Sequence, residues 1–190
     1  MNQRLKRGDV APHFCVRDVR DRRIDLSDYV GRWLLFSLYR YASCPLCNLR
    51  VHTLSQRYEA WRERGLDAIG VFQSPAEKML QYVGKRQAPF PLIPDPDQRL
   101  YALYGAQSSW RGFLKGWATR LPEIGQSVLN QGFLPGSVEG GLHRIPADFL
   151  IDPQGRIVEA YYGRDIGDHF PIERIEQWLD TPGLSDKPVE

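Results

Sequence analysis

Thiols are scarce in this chain. Three cysteines in 190 residues are too few for a disulfide-stapled scaffold and fit a reducing compartment, so a cytoplasmic protein is expected. Charge of one sign is missing as well: 25 basic against 23 acidic side chains leave a formal +2. No strong field points to nucleic acid or an anionic membrane, and neither is an expected partner. Long apolar runs are absent. The longest, Trp33 to Leu38, falls far short of the roughly 20 residues needed to cross a bilayer. Nor does the charged stretch Met1 to Arg7 lead into the apolar segment of a secretory signal, so the amino terminus reads as mature and unexported. Paired carboxylates, a phosphate loop and a Ser-His-Asp set are not apparent. What is present, 42% hydrophobic content, suffices for one core, and residues 1–190 read as a single domain.

Against this background Cys44-Pro45-Leu46-Cys47 stands out, between the Trp33 to Leu38 run and a helical pattern opening near Asn48. Thiols three residues apart in a first helical turn share a face and reach one another without large backbone movement. Unpaired amides and the positive end of the helix dipole favour a thiolate there, the form that attacks peroxide or disulfide sulfur. Pro45 is tolerated because a first-turn amide needs no partner. Zinc binding and inert buried thiols are the alternatives. A structural zinc site usually takes two close ligand pairs, however, and only Cys15 and the scattered His13, His52, His143 and His169 are left. A strand-to-helix junction is the setting in which the motif signals a thioredoxin-like redox site.

The order of elements is α/β. Phe14 to Val19 and Ile24 to Leu26 read as an amino-terminal hairpin, and Trp33 to Leu38 as a central strand covered on both faces. Leu49, Val51, Leu54, Tyr58 and Trp61 mark a helix that Gly65 closes. Leu66 to Phe72 is the next strand, and Ser74 with Glu77 suggests a capping box for a helix to about Arg86. The two strands should lie parallel as neighbours, with the dithiol at the carboxyl edge of the sheet. Pro89 to Pro96 should be extended, with Asp97 capping a short helix that ends at Gly105. Pro146 to Ile151 and Ile157 to Tyr162 form a second hairpin about Asp152 to Gly155, and Pro171 to Leu179 a terminal helix. Residues 106–143 interrupt the alternation. Trp110, Phe113, Leu114, Trp117 and Leu121 fall at helical spacings, and seven glycines lie from Gly112 to Gly141. An amphipathic helix and a loop are expected, either as a lid or partner surface, or packed onto its own domain.

Gly8-Asp9-Val10-Ala11-Pro12-His13-Phe14, Leu26-Ser27-Asp28-Tyr29, Gly31-Arg32 and the closing Phe149-Leu150-Ile151-Asp152 with Gly155 and Ile157 resemble the alkyl hydroperoxide reductase/thiol-specific antioxidant family. This is the peroxiredoxin-like branch of the thioredoxin fold, and the likeness covers nearly the whole chain. The resemblance implies a central mixed sheet flanked by helices. It also nominates Pro146, three residues before Phe149, as a cis-proline beside the active cysteines. The family's Pro-x-x-x-Thr-x-x-Cys motif places Arg40 where its proline stands and Cys44 where its threonine stands, with Cys47 as the peroxidatic residue. The family arginine at the late strand falls on Pro146, and the nearest arginine is Arg144.

What remains resembles a Cys-x-x-Cys subset, in which Cys44 and Cys47 cycle between dithiol and disulfide and Arg40 or Arg144 stabilises the leaving oxygen. Likeness to peroxiredoxins makes Cys47 the attacker; likeness to thioredoxins makes it Cys44. The implied reaction is peroxide reduction with an external thiol reductant, a thioredoxin- or glutaredoxin-type protein, and no bound cofactor or metal. Thiol-disulfide exchange on protein or small-molecule disulfides is the second reading, and a non-enzymatic partner- or zinc-binding module the third. A homodimer is left open.

Overall fold

The computed structural model describes residues 3–83, 88–122, 125, 136, 138 and 140–180. A five-stranded mixed sheet organises them. The strands are β3 (Trp33–Leu38), β4 (Leu66–Phe72), β5 (Leu92–Pro94), β6 (Ala147–Ile151) and β7 (Ile157–Tyr162), in the order β5-β4-β3-β6-β7. β3, β4 and β5 run parallel as neighbours, and β6 and β7 return antiparallel. The amino-terminal hairpin, β1 (Cys15–Arg17) with β2 (Arg23–Asp25), forms its own two-stranded sheet. The helices are α1 (Pro45–Glu63), α2 (Ala76–Gln81), α3 (Arg99–Leu103), α4 (Trp110–Thr119) and α5 (Ile172–Asp180).

β3 is buried throughout, and its alternating side chains feed two cores, as the period of a strand requires. Leu34, Phe36 and Leu38 join Ile69, Tyr104 and Phe149 on one face. Leu35 and Tyr39 face the other way, with Leu54 of α1 and Phe170 and Ile175 near the carboxyl end. Cys44 and Cys47 belong to this second core.

Several local expectations are corrected. α1 opens at Pro45, not near Asn48, because Cys44 is the extended N-cap (φ −67°, ψ 116°) and Pro45 occupies the first helical position. Ser74 caps no helix: its Oγ accepts from the Ala42 amide at 2.8 Å, and Pro75 precedes α2. The expected end of α2 near Arg86 lies outside the described residues. Asp95 replaces Asp97 as the carboxylate that holds α3, accepting from the Arg99 and Leu100 amides at 3.0 and 2.8 Å. Gln98 is the N-cap, in a left-handed conformation.

The helix expected within residues 106–143 is α4, capped by Ser109 Oγ on the Gly112 amide at 3.1 Å. Its glycines seat it on the domain. A Cβ on Gly112 would stand 2.8 Å from the Arg164 carbonyl oxygen, and one on Gly116 2.5 Å from Ile166 Cγ1. Phe113 is partly buried against the core while Trp110 and Leu114 are exposed. Most of the glycine-rich loop beyond lies outside the described residues.

The turn from β3 to α1 is held from below. Tyr101 OH donates to the carbonyls of Tyr39 (2.9 Å) and Val71 (3.1 Å), joining α3 to the ends of β3 and β4. Tyr101→Phe should lower unfolding free energy by about 1–3 kcal/mol, the cost of stranding buried acceptors. Urea denaturation of the reduced protein would measure it.

Candidate active site

Residues 39–44 leave the carboxyl edge of β3 and deliver Cys44 to the start of α1. Several backbone groups on the way have partners. The Gln73 amide donates to Arg40 O at 3.0 Å and the Cys44 amide to Tyr41 O at 3.1 Å. Asn48 Nδ2 reaches back from the first turn to Ala42 O (2.7 Å) and Cys44 O (2.8 Å). A buried loop without such partners would be costly; with them, the chain enters the helix at one fixed angle.

Both thiols are free and buried, Cys44 1% exposed and Cys47 0%. The two thiols are neighbours that influence each other's ionisation. Arg40, itself 2% exposed, directs Nη1 at Cys44 Sγ at 3.5 Å and donates from Nη2 to Leu142 O at 2.6 Å. The guanidinium lies over the rings of Tyr41 (4.9 Å) and Phe113 (5.8 Å). No ion pair joins Arg40 to a carboxylate among the described residues, and its Nε is buried without a partner. Its available counter-charge is therefore a thiolate.

The electrostatics separate the two sulfurs. Burial alone would raise the Cys44 thiol, but the hydrogen bond from Cys47 and the Arg40 charge outweigh it and bring the thiol down to about 6. Cys47 is pushed well above the ordinary thiol value by burial and by its proton-sharing with Cys44. The surroundings thus favour ionisation of Cys44, at the N-cap, over Cys47, one turn along.

Among the other residues singled out from sequence, Arg144 turns away to α3. Its guanidinium donates to Ala106 O (3.0 Å) and to Gln98 Oε1, and lies 5.0 Å over the Tyr101 ring. Pro146 begins the late hairpin as expected, but the cis bond is overturned: no peptide among the described residues is cis. Its carbonyl accepts from the Gly163 amide at 3.0 Å, an ordinary strand-start arrangement.

The sequence reading missed Asn48, whose position in the helix gives no sign that it reaches back to the loop. It also missed Asp148, a carboxylate that stands out in the apolar strand Ala147–Ile151 and is fully buried. His169, which the sequence showed only as one of four scattered histidines, is buried beside it, with Nδ1 3.0 Å from Asp148 Oδ2.

The AhpC/TSA family model matches residues 7–160. This chain belongs to that family. Peroxiredoxin Bcp of Escherichia coli K12 is 25% identical over 175 residues, covering 92% of this chain and 96% of that protein. A putative peroxiredoxin of Mycobacterium tuberculosis H37Rv is 26% identical, over 84% of this chain and 86% of its own. Among solved structures, a mutant of PrxQ from Xylella fastidiosa superposes with a TM-score of 0.66 at 18% identity, covering 94% of this chain and 96% of that one. A putative thiol:disulfide interchange protein DsbE from Chlorobium tepidum superposes with 0.63 at 17%, covering 92% and 96%. These structures establish the thioredoxin-like peroxiredoxin fold.

Replacing Arg40 by Met in a Cys15→Ser background removes the cation from the Cys44 sulfur. The Cys44 titration, followed by thiolate ultraviolet absorbance, should move up from about 6 toward the ordinary thiol value. At pH 6.5 the rate of alkylation by iodoacetamide should fall about tenfold or more.

Proposed function

We propose that this AhpC/TSA-family chain is a thiol peroxidase in which Cys44 attacks and Cys47 resolves. The observation that carries this order is the Arg40 Nη1 contact with Cys44 Sγ at 3.5 Å, which singles out one of two adjacent sulfurs as the thiolate. The Cys44 thiolate attacks one oxygen of the peroxide bond, giving Cys44 sulfenic acid, and the other oxygen leaves with a proton as alcohol or water. Arg40, whose Nη1 contacts Cys44 Sγ, is the cation assigned to stabilise the departing oxygen; Arg144, bonded to Gln98 and over the Tyr101 ring, is assigned to positioning the loop. Cys47 then attacks Cys44 sulfur and surrenders its proton, and hydroxide departs, taking up a proton from solvent to become water. An external dithiol of the thioredoxin or glutaredoxin type reduces the disulfide, so no bound cofactor is required.

Near-complete burial of both sulfurs supports a small oxidant. Leu142 and Phe113 cover Arg40 from the 106–143 insertion, which serves here as the site's roof. A cytoplasmic setting suits a site that must be re-reduced by thiols. No described helix is long and apolar enough to cross a membrane.

Thiol-disulfide exchange is the second reading, favoured by one observation: the residue at the family's threonine place is itself the low-pKa thiol, Cys44. An N-cap thiolate with a thiol one turn away suits attack on a disulfide equally well.

The two readings separate on mixing. Reduced protein given one equivalent of hydrogen peroxide, quenched by alkylation and mapped by mass spectrometry, should form a Cys44–Cys47 disulfide far faster than a free thiol oxidises. Cys47→Ser should stop at Cys44 sulfenic acid and Cys44→Ser should lose the fast phase, each abolishing multiple turnover. Slow oxidation together with rapid exchange against a protein disulfide would establish the second reading instead.

A further inference from the structure

Behind the dithiol lies a cluster of polar groups that the peroxidase chemistry above does not use. On the α1 side of β3, Ser37 falls between Leu35 and Tyr39, which line that core. Directly across the strand pair is Asp148 of β6. From α1, Arg50 follows Cys47 by three residues, hence on the same helix face. From the segment before α5, His169 places Nδ1 3.0 Å from Asp148 Oδ2, an oxygen that also accepts from the Phe170 amide at 2.8 Å. Asp148 is 1% exposed. Its second oxygen Oδ1, Ser37 Oγ, Tyr39 OH, Arg50 Nε and His169 Nε2 are all buried without a hydrogen-bond partner. A core that keeps five such atoms together retains polar groups at a cost, because each loses hydration without recovering a bond.

We infer that Asp148, held by His169, is the proton acceptor for Cys47 in the step that closes the Cys44–Cys47 disulfide. The inference rests on the assignment of Cys47 as the resolving thiol. Tyr39 lines the same core as Cys47, and Ser37, two residues before it, stands opposite Asp148 in the β3–β6 register. The two hydroxyls are therefore rotors along the path from thiol to carboxylate. As Cys47 sulfur bonds to Cys44 sulfur, the leaving group departs with the bonding electron pair, and the Cys47 proton passes to Asp148 Oδ1. His169 lines a cavity of about 350 Å³ with Arg50, Leu46 and Arg120. Burial pushes the Asp148 carboxyl up, yet the charge and hydrogen bond of His169, with Arg50, hold it below the ordinary carboxylate value. Its oxygens are thus proton-free at neutral pH. The charged or titratable groups facing it are His169, Arg50, Tyr39 and, from β7, Tyr161.

The test uses the full chain carrying Cys15→Ser and a chromogenic aromatic disulfide, 5,5′-dithiobis(2-nitrobenzoate), in stopped flow. Attack by Cys44 releases one coloured thiolate, and attack by Cys47 on the mixed disulfide releases the second. The second phase should be nearly independent of pH from 6 to 8 in the parent protein. In Asp148→Asn it should be slowed at least about tenfold at pH 7 and rise about tenfold per pH unit, as for a thiol that must lose its proton to solvent, while the first phase changes little. His169→Gln keeps a donor to Asp148 but no charge, and should shift the low-pH edge of the plateau upward. A parental second phase that already rises tenfold per pH unit would overturn the inference whether or not either variant folds. So would an unaltered profile in a folded Asp148→Asn. Absence of any second phase in the parent would instead overturn the assignment of Cys47 as resolver, and the inference with it.

Discussion

A guanidinium inside a protein core must be neutralised, and among the described residues the group that Arg40 Nη1 faces is the Cys44 sulfur. Arg40 is 2% exposed, and its Nη2 is taken by a backbone carbonyl. Moving an arginine out of water without an anion costs several kcal/mol, so the fold favours the ionised form of Cys44. The reverse also holds: a buried thiolate needs a cation, and the desolvation that would otherwise raise the Cys44 thiol is offset by Arg40 and the Cys47 hydrogen bond. Charge and sulfur stabilise each other, and Cys47 has no such cation in contact with its sulfur among the described residues.

The surrounding architecture keeps these two groups together. Arg40 and Cys44 lie on a six-residue connection between the central strand and the longest helix. That connection is tied down by Tyr101 of α3, by Gln73 and Ser74 of the segment after β4, and by Asn48 of α1. α4 adds a roof that rests on glycine rather than on side-chain interdigitation: Gly112 and Gly116 let the helix approach residues 164–166 at distances a methyl group would forbid. This close approach brings Phe113 over Arg40 and shields the ion pair from water, which strengthens it.

The elements legible in the sequence were those whose signal is local. β3 and β4 were read with their observed bounds, because continuous apolar runs between turn residues have few competing interpretations. The parallel pairing of β3 with β4 and the antiparallel late hairpin followed from the connections between them. The misread caps show where locality fails. Ser74 has the spacing of a capping box with Glu77 yet bonds Ala42, 32 residues away, and Asp95 holds α3 in place of Asp97. A short polar side chain satisfies whichever amide the tertiary fold presents, and sequence spacing does not identify it. Likewise Arg40 and Arg144 were equal candidates in the sequence. The fold sends one to the thiol and the other to Tyr101.

By itself, then, the sequence determined the α/β order, the family and the presence of a dithiol at a strand-to-helix junction, since periodicity and motif spacing are properties of neighbouring residues. Only the tertiary structure decided which sulfur is the thiolate, which arginine accompanies it, and that Asp148 and His169 meet behind them. Those outcomes depend on burial and on polar groups brought together across more than 100 residues in the bond from Arg40 to the Leu142 carbonyl, and across 21 in the pairing of Asp148 with His169. Electrostatic energy depends on distance in space and on exclusion of water, and neither is encoded in separation along the chain.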